Sequence, residues 1–349
     1  MGTTKTFLQN ASTRHAIFVQ RFAGGQIKEI QSLLDRIRKV ALGRIRSKQL
    51  TDMSRKQQLA LVKEIDDLTV ALYDKMGKKL LGNMQEFGNY EADFSARMFT
   101  KGTNTDFVTP STAIIEAAIA TTPIKMTNET LTIEGALKQF SKQKRKQIAT
   151  VIKDGVVAGR TNDDISRDLE FVTRKIQQNH ANALIRTITN QVSTVARGVT
   201  LEENSDIIKG YQWVSTLDGS TTATCQSLDG KVFRGTKGPR PPIHWGCRST
   251  IIPVVKKEFS ISNKIKSERP SVGDEGVETV PGQSTYNSWL KKQSKEFQDE
   301  VLGETKGALY REGGLSVGSF VDHNFEPLTL QQLRRKEPAA FKKAGLDDE

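Results

Sequence analysis

Two cysteines and one histidine lie close together in a chain that has little other thiol or imidazole chemistry. Cys225, His244 and Cys247 share one short stretch, whereas all 349 residues contain only two cysteines and four histidines. The spacing His-x-x-Cys puts two soft ligands on one loop. Zinc takes four such ligands in a structural site, or three and a water in a catalytic one. Asp218 and Asp229, both in predicted turns, are the candidates for the fourth ligand.

The same residues allow two other interpretations. A Cys/His pair oriented by Asp229 would form a nucleophilic site, although no recognisable oxyanion loop accompanies it. Alternatively, the thiols are simply buried in a small packed module, and His244 makes one hydrogen bond. The sequence favours this packed module, so no cofactor is expected and zinc remains the alternative. The other residues expected to build the module are Trp213, Trp245, Pro241, Pro242 and Arg248.

The stretch from Tyr211 to Val254 is dense in glycine, proline and turn residues. The segments YQWVS, KVF and STIIPVV are predicted to be short strands, and LDGS and SLDGK to be tight turns. Pro241-Pro242 favours extended backbone just before His244. The histidine is therefore expected on a stiff segment of a small module that contains β-structure.

Long helices are predicted upstream of this module. Apolar residues recur at helical spacing from Gln26 to Arg46, and a second stripe begins after Thr51 or Ser54. Few helix breakers interrupt the second stripe, which favours an antiparallel hairpin or a helical bundle. Further helix starts are predicted at Ser111 and Thr161. The fold class expected is α+β, with a mostly helical N-terminal half, the turn-rich module and a short helical tail.

Composition shifts and punctuating residues divide the chain into five segments. Gly24-Gly25 is predicted to break the chain after an N-terminal arm, and the polar stretch from Ser267 to Ser284 to form a linker. The predicted segments are an arm at 1–25, long helices and a connector at 26–135, the module-containing domain at 136–258, a linker at 259–284 and a helical tail at 285–349.

The charge balance favours a polyanionic partner. The net charge is +12 and the isoelectric point is near 9.5. The sharpest basic run is Lys142, Lys144, Arg145 and Lys146, whose side chains are candidates for phosphate contacts or for a solvated helix face. The turn at Gly159 also resembles that of a helix-turn-helix protein. Since no apolar run reaches about 18 residues, no transmembrane helix and no membrane partner are predicted.

Several motifs together resemble one known family. Arg186-Thr187 within a helix is followed by YQWVSTLDG, by TCQSLDGKVF and by PRPPIHWGCRSTIIPV. This series resembles the Mu F-like phage head morphogenesis domain, the minor head protein family of tailed bacteriophages. The tail segments TYNSWLKKQ, FQDEVLG and LTLQQLRR are similar to the C-terminal stretch of many such proteins. The resemblance covers the chain from about Gln147 to Pro338.

This resemblance implies a structural protein of the phage head rather than an enzyme. It implies a minor head protein near the portal vertex of the virion, with the host cytoplasm as its place during assembly. The implied partners are the portal protein, other head or scaffolding proteins and DNA bound non-specifically, with several copies per virion. The alternative function is a metal- or thiol-dependent enzyme that acts on nucleic acid or on the cell envelope.

Overall fold

Two long antiparallel helices, α1 (Thr4–Arg46) and α2 (Arg55–Gly102), run along one side of the molecule. The computed structural model describes residues 4–48, 50–125, 129–235, 237–261 and 268–346. At a rise of about 1.5 Å per residue, the two helices are about 64 and 72 Å long. Their antiparallel register is visible where Lys79 pairs with Glu29. The predicted helical hairpin is confirmed.

The break expected at Gly24-Gly25 is wrong. Both glycines lie inside α1, and a Cβ atom added to either would meet no other atom within 4 Å. Neither glycine adopts a left-handed backbone conformation. Because buried residues on both sides of the pair, Ala23 and Ile27 among them, pack into the same core, the helix continues through it. An arm that ends at residue 25 is therefore not present.

Four further helices complete the helical half. They are α3 (Thr112–Thr121), α4 (Ile133–Val157), α5 (Asn162–Lys175) and α6 (Ala181–Glu203), with a π-helical turn at Ile176–His180 between the last two. The predicted starts at Ser54, Ser111 and Thr161 are confirmed, since each side chain accepts a hydrogen bond from the backbone of its helix. Gly159 ends the preceding helix with a φ of 67°.

A buried carboxylate joins α1, α2 and α6. Glu91 is 0 % exposed and contacts His15 Nε2 at 2.5 Å through one oxygen and the hydroxyl of Ser193 through the other. One turn away, the buried Arg197 donates to Ser95 at 3.3 Å. Because a buried charge is costly without partners, this network fixes which faces of the three helices meet.

The described β-structure forms three small sheets: an antiparallel pair of strands, one sheet in the module and one beside the module. The strands are β1 (Ile124–Lys125), β2 (Thr130–Leu131), β3 (Ile208–Val214), β4 (Leu217–Asp218), β5 (Val232–Arg234), β6 (Thr250–Val255), β7 (Glu268–Gly273) and β8 (Gly276–Pro281). The antiparallel pair is β1 and β2, the module sheet has the antiparallel order β5-β3-β6, and the sheet beside the module has the order β4-β7-β8 with β4 parallel to β7. The three strands predicted from the sequence are confirmed.

The linker expected from Ser267 to Ser284 is wrong over its described part. β7 and β8 form a hairpin there, and Gly276 follows the two-residue turn with a φ of 94°. Arg269 and Ser271 face inward and are buried. The stretch is polar partly because the inward Arg269 pairs with the buried Asp229, whereas Val280 packs in the apolar core.

The C-terminal segment forms its own small core against the module. The helices are α7 (Ala223–Leu228), which belongs to the module, and then α8 (Tyr286–Leu290), α9 (Lys295–Leu302), α10 (Glu304–Arg311), α11 (Leu330–Lys336) and α12 (Pro338–Lys343). Trp289, Tyr310 and Phe320 fill this core together with Leu217 from β4. The predicted helical tail is confirmed. Among the described helices, none has the length and apolar character needed to cross a bilayer.

Candidate metal centre

Cys225, His244 and Cys247 meet where α7 faces the loop between β5 and β6. A short connection that contains β4 joins β3 to α7. Cys225 lies in the first turn of α7. The loop carries the other two residues shortly before β6 begins at Thr250. The helix is followed by β5 and the loop by β6, and both of these strands border β3. The helix and the loop are therefore held at the same end of one sheet.

The ligand atoms of these three residues lie within 4.8 Å of one another. Cys225 Sγ is 3.2 Å from His244 Nε2 and 3.9 Å from Cys247 Sγ. The two cysteines are 1 % and 0 % exposed, whereas His244 is half-buried. No other His, Cys, Asp or Glu of the described ranges belongs to this group.

The three side chains shift one another's protonation. The hydrogen bond with Cys247, reinforced by burial, raises the pKa of the Cys225 thiol. Burial opposes ionisation of Cys247, yet hydrogen bonds from Cys225 and His244 hold its pKa well below the usual value. Burial likewise opposes protonation of His244, but its hydrogen bond to Cys247 and the charge there raise the pKa. The cluster therefore favours one thiolate, the species that metals bind.

Helix α6 anchors the loop from below. Asn190 donates to the carbonyl oxygen of Cys247 at 2.9 Å, and the Gly246 amide donates to Thr187 Oγ1 at 2.8 Å. From the other side, Ser215 Oγ donates to the carbonyl oxygen of Cys225 at 2.6 Å. Sequence reasoning missed the role of Asn190 and Ser215. For Asn190, the available signal was the run of polar residues on the face of α6 that should be buried.

The structure does not bring Asp229 to the cluster. Its carboxylate accepts from the amides of Ser215 and Tyr286, both at 2.7 Å, and from Arg269 at 2.8 and 3.0 Å. Asp218 is similarly engaged by Arg248, at 2.9 Å from one guanidinium nitrogen. The expectation that either aspartate supplies a fourth ligand, or that Asp229 orients His244, is therefore wrong, because both carboxylates already neutralise an arginine.

The residues expected to build the module have different places. Trp213 is fully buried against Cys225 and Cys247, and its indole donates to Ser215. Pro241 and Pro242 are also buried and are joined by a cis peptide bond. Trp245 is 43 % exposed and therefore does not belong to the core.

Trp245 instead lines an open pocket between the module and α4. The pocket measures about 350 Å³, and Phe140, Lys144 and His180 also line it. Burial lowers the pKa of Lys144, whose ammonium lies 5.6 Å from the centre of the Phe140 ring. Trp245 was expected to pack within the module, but its side chain is exposed and lines this pocket.

Only half of the basic run at residues 142–146 faces solvent. Lys144 is 7 % exposed, and Arg145 pairs with Asp66 of α2 at 2.8 Å, so these two side chains hold α4 in place. Lys142 and Lys146 are exposed and lie one turn apart. The expectation of four phosphate contacts is thus too broad, because the 3.6-residue period turns the middle of the run inward.

The sequence of the module can be compared with known protein families. Residues 146–252 match the family described as Phage Mu protein F like protein. This match covers about a third of the chain and confirms, over these residues, the resemblance to Mu F-like phage head morphogenesis proteins. No curated protein and no solved structure matches the chain.

The Mu F-like segment begins within α4 and ends in β6. It therefore includes all three side chains of the Cys/His cluster and the α6 residues that anchor their loop. The segment is not separate from the rest of the fold, because α6 is buried between α1, α2 and α3. The family match ends before the β7–β8 hairpin and the C-terminal helices. The similarity of the tail to such proteins therefore stays a prediction.

Proposed function

We propose that the chain is a minor head protein of a tailed bacteriophage that binds the portal protein and contacts DNA during head assembly. The observation that carries the proposal is the Mu F-like match at residues 146–252, which covers the centre of the fold. The proposal places the protein in the virion head, near the portal vertex, in several copies. Scaffolding proteins or other head proteins are further partners in this proposal.

The long hairpin supports a role in assembly. Helices α1 and α2, at about 64 and 72 Å, are several times longer than the mean helix of a globular protein. One end of the hairpin packs on the module, where Phe99 joins the core that also contains Tyr211 and Ile252. The other end is held by α5, where Asn162 Oδ1 accepts from the Leu50 amide at 3.2 Å. The hairpin therefore extends along the helical half and offers a long face to partners.

The exposed aromatic patch beside His15 is the surface that we propose for such a contact. Phe18 and Tyr90 are 40 % and 41 % exposed, and their ring centres lie 5.4 Å apart. Ile17 next to them is 42 % exposed. Aromatic side chains of this kind supply much of the binding energy of protein interfaces. We assign the patch to the portal or to a neighbouring head protein.

Charge supports the DNA part of the proposal. Lys142 and Lys146 form no ion pair within the described ranges, whereas several neighbouring basic side chains are neutralised by acidic ones. Contacts between such lysines and phosphates release counterions, so binding does not depend on sequence and weakens steeply with salt.

The expected result is that the double variant K142E/K146E binds duplex DNA more weakly than the unaltered chain. If both lysines contact phosphates, the slope of log K against log salt becomes shallower by about 1.8. Fluorescence anisotropy with a labelled duplex at several salt concentrations measures this slope. The matched control is K342E/K343E, which makes the same charge change on exposed residues of α12. Equal slopes for the two double variants would contradict the assignment of these contacts.

Of the alternative, a metal- or thiol-dependent enzyme, the thiol-dependent form receives no support from the geometry. A nucleophilic cysteine must reach its substrate, whereas Cys225 and Cys247 are 1 % and 0 % exposed. The carboxylate expected to orient His244 is bound by Arg269 instead. The thiols are better placed to hold a structure together than to attack a substrate.

A further inference from the structure

We propose that Cys225, His244 and Cys247 bind one zinc ion, with a water molecule as the fourth ligand. The inference rests on the geometry of three side chains and stands independently of the role in head assembly. Two soft thiol ligands and one imidazole favour zinc over magnesium or calcium, which prefer oxygen ligands.

The spacing of the ligand atoms fits a tetrahedral ion. With Zn–S near 2.3 Å and Zn–N near 2.0 Å, ligand atoms at tetrahedral angles lie about 3.5–3.8 Å apart. The observed Cys225 Sγ–His244 Nε2 and Cys225 Sγ–Cys247 Sγ distances are 3.2 and 3.9 Å. The third separation is within 4.8 Å. Side-chain adjustments of up to about an ångström, chiefly a rotation of the half-buried His244, would place all three at bonding distance.

The imidazole is oriented as in a metal site. His244 Nδ1 lies 3.1 Å from the carbonyl oxygen of Trp245. A carbonyl only accepts, so Nδ1 carries the hydrogen, and the lone pair of the neutral ring is on Nε2, the atom nearest to Cys225. A backbone carbonyl that fixes the tautomer of a ligating histidine is a common outer-shell partner in metal sites.

The backbone around the ligands is held in advance of binding. Asn190 and Thr187 fix the loop on α6, and Ser215 fixes the backbone of Cys225. These are direct hydrogen bonds of 2.6–2.9 Å from buried or half-buried residues. Binding the ion therefore requires little ordering of the chain, which favours affinity.

The fourth position is left to water because both nearby aspartates are already bound. Asp229 and Asp218 are paired with Arg269 and Arg248. His244 is the only half-buried member of the three, so we assign the water to its side of the cluster. Three protein ligands and one water make up the complete tetrahedral set.

The test is the metal content of the full-length chain purified from zinc-supplemented cells. We expect about one zinc ion per chain by inductively coupled plasma mass spectrometry, and less than a tenth of that for the variant C225S/C247S. The matched control is H323A, which removes an exposed histidine that is not one of the three ligands and should keep the full zinc content. Zinc that is absent from the unaltered chain, or retained by C225S/C247S, would overturn the proposal.

A second measurement keeps the test decisive if the double variant does not fold. Cobalt(II) is added to the unaltered, metal-free chain, and the absorption spectrum is recorded. We expect thiolate-to-cobalt charge-transfer bands and tetrahedral d–d bands that saturate at one equivalent and disappear on addition of zinc. Thiol titration in denaturant distinguishes the main rival, a Cys225–Cys247 disulfide. Two free thiols agree with the proposal, and a disulfide without bound metal contradicts it.

Discussion

Asp229 shows how one side chain can join three elements. Its carboxylate receives the amide of Ser215 after β3, the guanidinium of Arg269 on β7 and the first amide of α8 at Tyr286. Both members of the Arg269–Asp229 pair are 1 % exposed. Since each charge is buried, each depends on the other for compensation.

The variant R269M is expected to lose about 3–5 kcal/mol of unfolding free energy, because it leaves the Asp229 carboxylate buried without its counter-charge. Urea denaturation followed by circular dichroism measures the change. The matched control is R160A, which removes an exposed ion pair with Asp168 and should cost less than about 1 kcal/mol. A loss for R269M as small as that of the control would show that the pair is not the link described here.

Part of the site could be predicted from residues close in sequence. Only the end of α7, the short strand β5 and one loop separate Cys225 from His244 and Cys247, so the three residues could be expected to meet. The pairing of Asp229 with Arg269 could not be predicted, because it depends on the β7–β8 hairpin, whose sequence has the composition of a polar linker. A turn aspartate near cysteines and a histidine suggests a ligand until its long-range partner is known.

At the scale of elements, the helix starts were the most predictable feature. Ser54, Ser111 and Thr161 cap their helices through contacts within the next few residues. Gly24-Gly25 gave the opposite result, because packing of the apolar stripe on both sides outweighs the local preference of glycine. The interior of a long helix is thus decided by tertiary contacts, and its start by local chemistry.

Gly25 and Gly88 both lie inside long helices but should respond differently to replacement by alanine. G25A is expected to stabilise the fold by roughly 0.5–1 kcal/mol, because Gly25 is helical and a Cβ there meets nothing within 4 Å. G88A is expected to destabilise it by about 1–3 kcal/mol, because its Cβ would lie 2.2 Å from Ile119 Cδ1. Urea denaturation of the two variants provides the comparison. Destabilisation by G25A would indicate that α1 is broken at this point.

At the scale of the whole molecule, the Mu F-like segment depends on the helices before it. Ile188 and Val192 of α6 are 0 % exposed and belong to the same core as Leu80 and Met84 of α2. The anchors of the metal-ligand loop lie on that same helix. The long hairpin therefore supports the module that carries the proposed zinc site, in addition to offering surface to partners.

The most direct test of the proposed function is the protein content of purified phage heads. Heads are isolated from the phage that encodes this chain and from a mutant that assembles heads without its portal protein, and the chain is quantified by mass spectrometry relative to the major capsid protein. Our account predicts a reproducible low-copy content in complete heads and its loss from heads without a portal. Absence from complete heads would contradict the proposed function, whereas retention in portal-free heads would contradict binding to the portal.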